Sequence, residues 1–203
     1  MKTFFPVAIV LLLVVFNCEW LLSEEGIHPF AFYLPAIVDG EWWRVVTSVF
    51  AHFSWYHLVF DALVTLAFLF LVPWKDRPWV FLVAGVGSIA LPFLMVPDLR
   101  HLALGGLSGI TYGLALAACW HMAIDSKSRA DLLIGLVGGL LVVSVSFAEV
   151  FFEFQWLSRL HPAQLGNIST EAHLGGVLGT LFLLTARSTL PRVLTIQPVA
   201  PSH

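Results

Sequence analysis

The sequence predicts an all-α membrane protein, a six-transmembrane-helix bundle formed by a single domain over residues 1–203. Three observations carry this reading: a large apolar excess, six separate apolar stretches of helix length, and a one-sided distribution of basic residues. Of the 203 residues, 59% are hydrophobic and 11% are charged, and the mean hydropathy is +0.88. A soluble domain is about 45–50% apolar and about 25% charged. So few polar groups do not cover a water-exposed surface of this size. The same numbers exclude disorder, collagen-like repeats and a disulfide scaffold. A net charge of −3 with scattered basic residues leaves no electrostatic footprint for nucleic acid.

A hydrocarbon core about 30 Å thick needs about 20 apolar residues of helix to cross it. The opening MKTFFPVAIVLLLVVF has the look of a signal peptide, but no small-x-small cleavage site follows. Val15-Phe16-Asn17 before Cys18 also makes a poor lipoprotein box, so Phe4–Leu22 reads as an uncleaved first span. The remaining spans are Tyr56–Val72, Trp79–Val96, Leu102–Met122, Leu132–Phe152 and Ala172–Ala186. Two longer connections, Ser23–Trp55 and Glu153–Glu171, then fall on the same face.

Orientation follows from the basic residues. With six alternating spans, Lys2, Lys75, Arg77, Lys127, Arg129, Arg187 and Arg192 share one side, while Arg44, Arg100 and Arg159 take the other. This puts both termini in the cytoplasm and both long loops outside. Cys18 and Cys119 end up at opposite faces, which disfavours a disulfide.

Polar groups at membrane depth are costly, and each is a functional hypothesis. The candidates are His52, His57, Asp61, Ser108, Glu149 and His173. His57 opens span two, Ser108 lies early in span four and His173 opens span six, and all three spans run from outside to inside. Three side chains far apart in sequence therefore reach similar depth near the outer face. His173 precedes Arg187 by 14 residues, about 21 Å of helix, so it sits below the outer boundary. Polar groups there need water or each other, and a wet cavity open to the outside is the simplest arrangement.

The local sequences sharpen this. Gly106-Leu107-Ser108-Gly109 is not the G-x-S-x-G elbow of soluble hydrolases, because Ile110 takes the last position. Glycines around a serine let another backbone approach closely, and a nearby helix N-terminus offers amides to a developing oxyanion. Small-residue helix packing is the ordinary explanation for such a motif. His57 and Asp61, four apart, share a helix face. A buried His–Asp hydrogen bond explains them, and the five-residue step from His52 to His57 departs from H-E-x-x-H metal spacing, so metal is the weaker idea. Gly175 and Gly179 form a G-x-x-x-G pair behind His173. A lone histidine there is an ordinary structural hydrogen-bonder. If span six packs on the glycines of span four, His173 meets Ser108 and reads as a general base. Glu149 and Glu153 end span five as gate elements or interfacial charges; the sequence does not choose.

Taken together the chain resembles the rhomboid family of intramembrane serine proteases. Trp43-Arg44 resembles the family's W-R element, and His52 through Asp61 its H-x4-H-x3-N element. Gly106-Leu107-Ser108-Gly109 resembles G-x-S-G, with Tyr112 four residues on, and Ala172-His173 with Gly176 resembles A-H-x-x-G. The resemblance implies that Ser108 is the nucleophile and His173 its base, a pair with no third acid. It further implies that Tyr112 supports the imidazole and that His57 and the Ser108 N–H build the oxyanion hole beside Gly106 and position 61. The family's Asn is Asp61 here. Either Asp61 is kept protonated and donates, or it pairs with His57 and makes that ring a charged donor.

The implied activity is endopeptidase cleavage of transmembrane segments near the outer face, without cofactor or metal. The implied partners are transmembrane protein substrates and the lipid bilayer, and the implied location is a multi-pass place in a bacterial inner membrane. A narrower resemblance is to the rhombosortase branch, which trims Gly-Gly-containing C-terminal anchors. The rivals are a catalytically silent rhomboid-like client-binding protein and a small transporter or channel. The latter would more often show paired acids along the spans, and the middles of these spans are nearly free of charge. Nothing in the sequence sets an oligomeric state.

Overall fold

The computed structural model describes residues 3–23, 27–96, 98, 103–152 and 169–194. Six long helices carry it: α1 (Phe4–Ser23), α4 (Trp55–Leu71), α5 (Arg77–Met95), α6 (Ser108–Ile124), α7 (Arg129–Phe151) and α8 (Thr170–Leu194). Between α1 and α4 come β1 (Phe32–Tyr33), the short helices α2 (Leu34–Val38) and α3 (Arg44–Thr47), and a 3-10 turn over Ser48–Phe50. The strand β2 (Ala103–Leu104) precedes α6 and pairs antiparallel with β1, Phe32 opposite Leu104.

Three of the long helices have a local reason to start where they do. Ser54 caps α4 by accepting the His57 N–H (3.1 Å), and Ser128 caps α7 by accepting the Asp131 N–H (3.1 Å). A proline in the first turn starts α5. Apolar side chains of α7, among them Leu133, Ile134, Val137 and Leu140, point outward, as a lipid-facing helix requires. The buried interior gathers Leu69, Val80, Ala84, Leu107, Ile110 and Leu114.

The expected spans need three corrections. The fourth helix begins at Ser108 rather than Leu102, because Ala103–Leu104 is a strand and Gly106 turns the chain with φ +116°. The sixth runs past Ala186 to Leu194. The connection Ser23–Trp55 holds a strand, two short helices and a 3-10 turn within residues 32–50. Most of the second long connection, residues 153–168, lies outside the described residues.

The chain is an integral membrane protein by its apolar helices. By length and composition, α5 and α7 each suffice to cross a membrane, and the segment Arg44–Phe50 with α4, bent by 83°, makes a third. Apolar α1 (over Phe4–Cys18) and α6 are shorter. The expectation of six crossings thus meets six long helices, of which two or three pass that measure. The 17 residues of α6 span about 26 Å, and α8 carries Glu171, His173, Arg187 and Arg192.

Packing of α8 decides where the site forms. One row of α8, Gly175 and Gly179, lies on α5 at the backbones of Gly87 and Val83. The next row, Ala172, Gly176 and Thr180, lies on α6 at Gly109 and Gly113. The G-x-x-x-G pair therefore faces α5, and Gly176 makes the contact with α6. A methyl on Gly176 would overlap the carbonyl oxygen of Gly109. On the other side α6 is tied to α4, where the Thr65 and Thr111 hydroxyls bond and Thr111 donates to the Leu107 carbonyl (3.1 Å).

Gly176→Ala is expected to lower the thermal unfolding midpoint in detergent, since overpacking of this kind costs about 1–3 kcal/mol. Gly139→Ala, whose added carbon would meet its nearest neighbour at 3.7 Å, is expected to leave the midpoint unchanged or raise it slightly. Equal midpoints for the two variants would refute the close α6–α8 contact.

Candidate active site

Three of the expected residues sit at the beginnings of their helices. His57 is in the first turn of α4, Ser108 is the first residue of α6 and His173 is in the first turn of α8. Ser108, His173, His57, Asp61 and Gly106 line one cavity of ≈ 70 Å³, with Ser88 of α5 at its wall. The first amides of a helix have no acceptor within the helix, so the start of α6 brings N–H donors to the nucleophile candidate. A second, apolar cavity of ≈ 310 Å³ runs between α4, α6 and α7, and shares Ser108 and Asp61 with the first.

His173 is held in two ways. Its ring stacks on Tyr112, with centroids 4.4 Å apart and planes 9° from parallel. Its Nδ1 lies 2.7 Å from Oε2 of Glu149, whose other oxygen accepts the Tyr112 hydroxyl proton at 2.9 Å. Glu149 and His173 are 3% and 1% exposed, so neither is relieved by solvent. Nε2 of His173 is buried without a hydrogen-bond partner among the described residues. A carboxylate only accepts, so Nδ1 carries the proton and Nε2 presents the lone pair.

Asp61 is a hub of accepted contacts. Its Oδ2 accepts the Leu107 N–H (3.0 Å), and the Nε2 atoms of His57 and His52 lie 3.3 and 3.4 Å from the same oxygen. Of the two roles open for Asp61, the geometry matches pairing with His57. The ring nitrogen of His57 and this carboxylate also crowd Gly106, where an added carbon would come within 2.9 Å and 3.1 Å of them. With φ at +116°, that position requires glycine on two counts. Among the described residues, those that could hold a metal ion are the same trio, His52, His57 and Asp61, with ligand atoms within 4.8 Å of one another.

The α1–α4 segment is clamped above the cavity. Buried Arg44 donates to Glu41 (2.6 Å) and to the carbonyls of His28 (2.7 Å) and Ala31 (3.1 Å). Asn17 of α1 donates to the Leu13 and Phe50 carbonyls and accepts the His52 N–H at 2.7 Å. The Ser48 carbonyl accepts the Gly106 N–H (3.1 Å), which joins this segment to the turn before Ser108.

A family model for the rhomboid domain matches residues 39–189. The chain belongs to the rhomboid family. The rhomboid protease GluP of Bacillus subtilis (strain 168) is 27% identical over 158 residues, which cover 74% of this chain and 27% of that protein. The chain thus spans about a quarter of the length of this curated relative. No solved structure matches it.

Within this rhomboid domain Ser108, His173, His57, Asp61 and Gly106 line one cavity, and Tyr112 stacks on His173. Two residues were not assigned from sequence. Glu149 stood out as an acid at membrane depth, but only the α7–α8 contact gives it His173. Asn17 interrupts the run VVFNC, and that interruption was its signal.

The loop clamp carries a pH dependence. Nδ1 of His28 accepts the Phe30 N–H (3.2 Å), which requires the neutral ring. Burial, with His52 and Arg44 nearby, lowers His28 from 6.5 to about 4. The unfolded segment therefore takes up the proton first. Stability is full above about 6.5 and is lost as the pH falls toward about 4. Amide hydrogen exchange over residues 27–51 is expected to quicken between pH 7 and pH 5 relative to α5, after correction for the intrinsic rate. His28→Gln should remove that difference; its persistence in the variant would assign it elsewhere.

Proposed function

We propose that this rhomboid is an intramembrane serine endopeptidase that cuts transmembrane segments by acyl transfer at Ser108. The observation that carries the reading is the shared cavity of Ser108 and His173, with Nε2 of His173 unpartnered and Nδ1 held by a carboxylate. Ser108 Oγ attacks the scissile carbonyl while Nε2 takes its proton, then passes it to the leaving amine. Water hydrolyses the acyl-enzyme by the reverse transfer. The Ser108 N–H and His57 receive the oxyanion, and Asp61 orients His57 as its acceptor.

The apolar cavity between α4, α6 and α7 supports a hydrophobic substrate, since Phe60, Val64, Phe68 and Leu141 lead to Ser108. The substrate must unwind there, because a helix shields its carbonyl carbons with its own hydrogen bonds. Six crossings with cytoplasmic termini fit the same reading, with the cavity toward the outer face. The narrower reading as a rhombosortase is a question of which anchor is cut. The non-catalytic alternative is a client-binding protein of the same fold.

The test is cleavage of a transmembrane reporter by purified protein, with a Gly-Gly-containing C-terminal anchor as a second substrate. Ser108→Ala and His173→Ala are each expected to abolish cleavage, and fluorophosphonate is expected to label wild type but not Ser108→Ala. His57→Ala should lower kcat by about 10²–10³-fold, the usual effect of losing one oxyanion donor. Undiminished cleavage by Ser108→Ala would reject the mechanism. Absence of both labelling and cleavage in wild type would favour the client-binding protein.

A further inference from the structure

We infer that Glu149 is the third member of the catalytic group, a buried positioning carboxylate that makes Ser108–His173–Glu149 a triad within the membrane. The inference rests on the proposed roles of Ser108 and His173, and adds an acid that the family resemblance does not supply.

The first argument is the setting of Glu149. It lies in the last turn of α7, where the carbonyl ends of the helix dipole disfavour a negative charge. It is 3% exposed, so water does not offset that cost. The donors that compensate are on the neighbouring helices: Nδ1 of His173 on α8 at 2.7 Å and the Tyr112 hydroxyl on α6 at 2.9 Å. Each carboxylate oxygen has its own donor. An interfacial charge would instead face headgroups and water.

The second argument is what the contact does to the imidazole. Acceptance at Nδ1 leaves Nε2 as the base, and Nε2 is the nitrogen without a partner. When Ser108 attacks, its proton moves to Nε2, and the ring becomes an imidazolium at a position that is only 1% exposed. The carboxylate stays ionised, keeps its Nδ1–H hydrogen bond and neutralises that charge until Nε2 releases the proton to the leaving amine. Opposite charges this close interact far more strongly in such a site than in water.

The third argument is the double hold on the ring. Tyr112 stacks on His173 at 4.4 Å while its hydroxyl fixes Glu149. One tyrosine therefore sets both the tilt of the imidazole and the position of the acid. The other titratable groups at the cavity, His57 and Asp61, are engaged with each other, and α5 offers only Ser88 there.

The experiment is steady-state cleavage of a transmembrane reporter in detergent, with the active fraction of each variant set by fluorophosphonate titration. Glu149→Gln keeps size and hydrogen bonding but removes the charge and permits the wrong tautomer. It is expected to lower kcat at least about a hundredfold with KM unchanged; the corresponding change in a soluble serine protease costs about 10⁴. Glu149→Asp, which restores the charge one methylene short, should recover at least about tenfold of that loss. Tyr112→Phe keeps the stack and frees the acid, so it should lower kcat severalfold, again with KM unchanged. A kcat for Glu149→Gln within about threefold of wild type, with Ser108→Ala and His173→Ala inactive, would overturn the triad and leave the Ser–His pair standing. If Glu149→Gln does not accumulate, unchanged kcat in Tyr112→Phe overturns it equally. Cleavage surviving in Ser108→Ala would mark failure of the underlying mechanism instead.

Discussion

Everything at the site depends on how closely the start of α8 approaches the start of α6. At Gly109 and Gly176 the two backbones meet with no room for a side chain. Lipid provides no hydrophobic drive between helices, so close backbone packing has to hold them. That contact also sets rotation: a slip of one residue along α8 would turn His173 by about 100° and away from the cavity. The neighbouring row, Gly175 and Gly179 on α5, fixes α8 from a second direction. Two adjacent rows of small residues, offset by one position, leave the helix one register.

Above this contact lies a layer of buried polar groups that are satisfied mostly by one another. Asp61 holds Leu107, His57 and His52; Asn17 holds His52 and Phe50; Arg44 holds the turn around His28. In a medium of low dielectric such groups are costly alone and strong together. The layer therefore joins α1, the folded segment before α4, and the turn at Gly106 into one support for the start of α6. Asp61 in place of the family's Asn fits that arrangement, because two imidazoles and an amide converge on a single oxygen that only accepts.

Several features were legible in the sequence because they are one-dimensional. Apolar run lengths located six long helices, five of them starting within about three residues of expectation, and the small residues around Ser108 and His173 marked them as packing faces. The start of α6 was misjudged because hydropathy does not separate a short strand from a helix when Ala103 and Leu104 are both apolar. The partner of Gly175 and Gly179 stayed open for a similar reason: spacing identifies a packing row but not which neighbour it meets.

The sequence by itself determined that the chain enters a membrane, that its helices are those of a rhomboid, and that one serine and one histidine stand out at matching depth. Composition, periodicity and separated motifs suffice for that. Only the tertiary structure decided that α8 meets α6 through Gly176, that Asp61 accepts the Leu107 N–H, and that Glu149 reaches Nδ1 of His173. Those are contacts between residues 24 to 67 positions apart. They arise from the rotation and register of packed helices, which no local pattern in a single chain encodes.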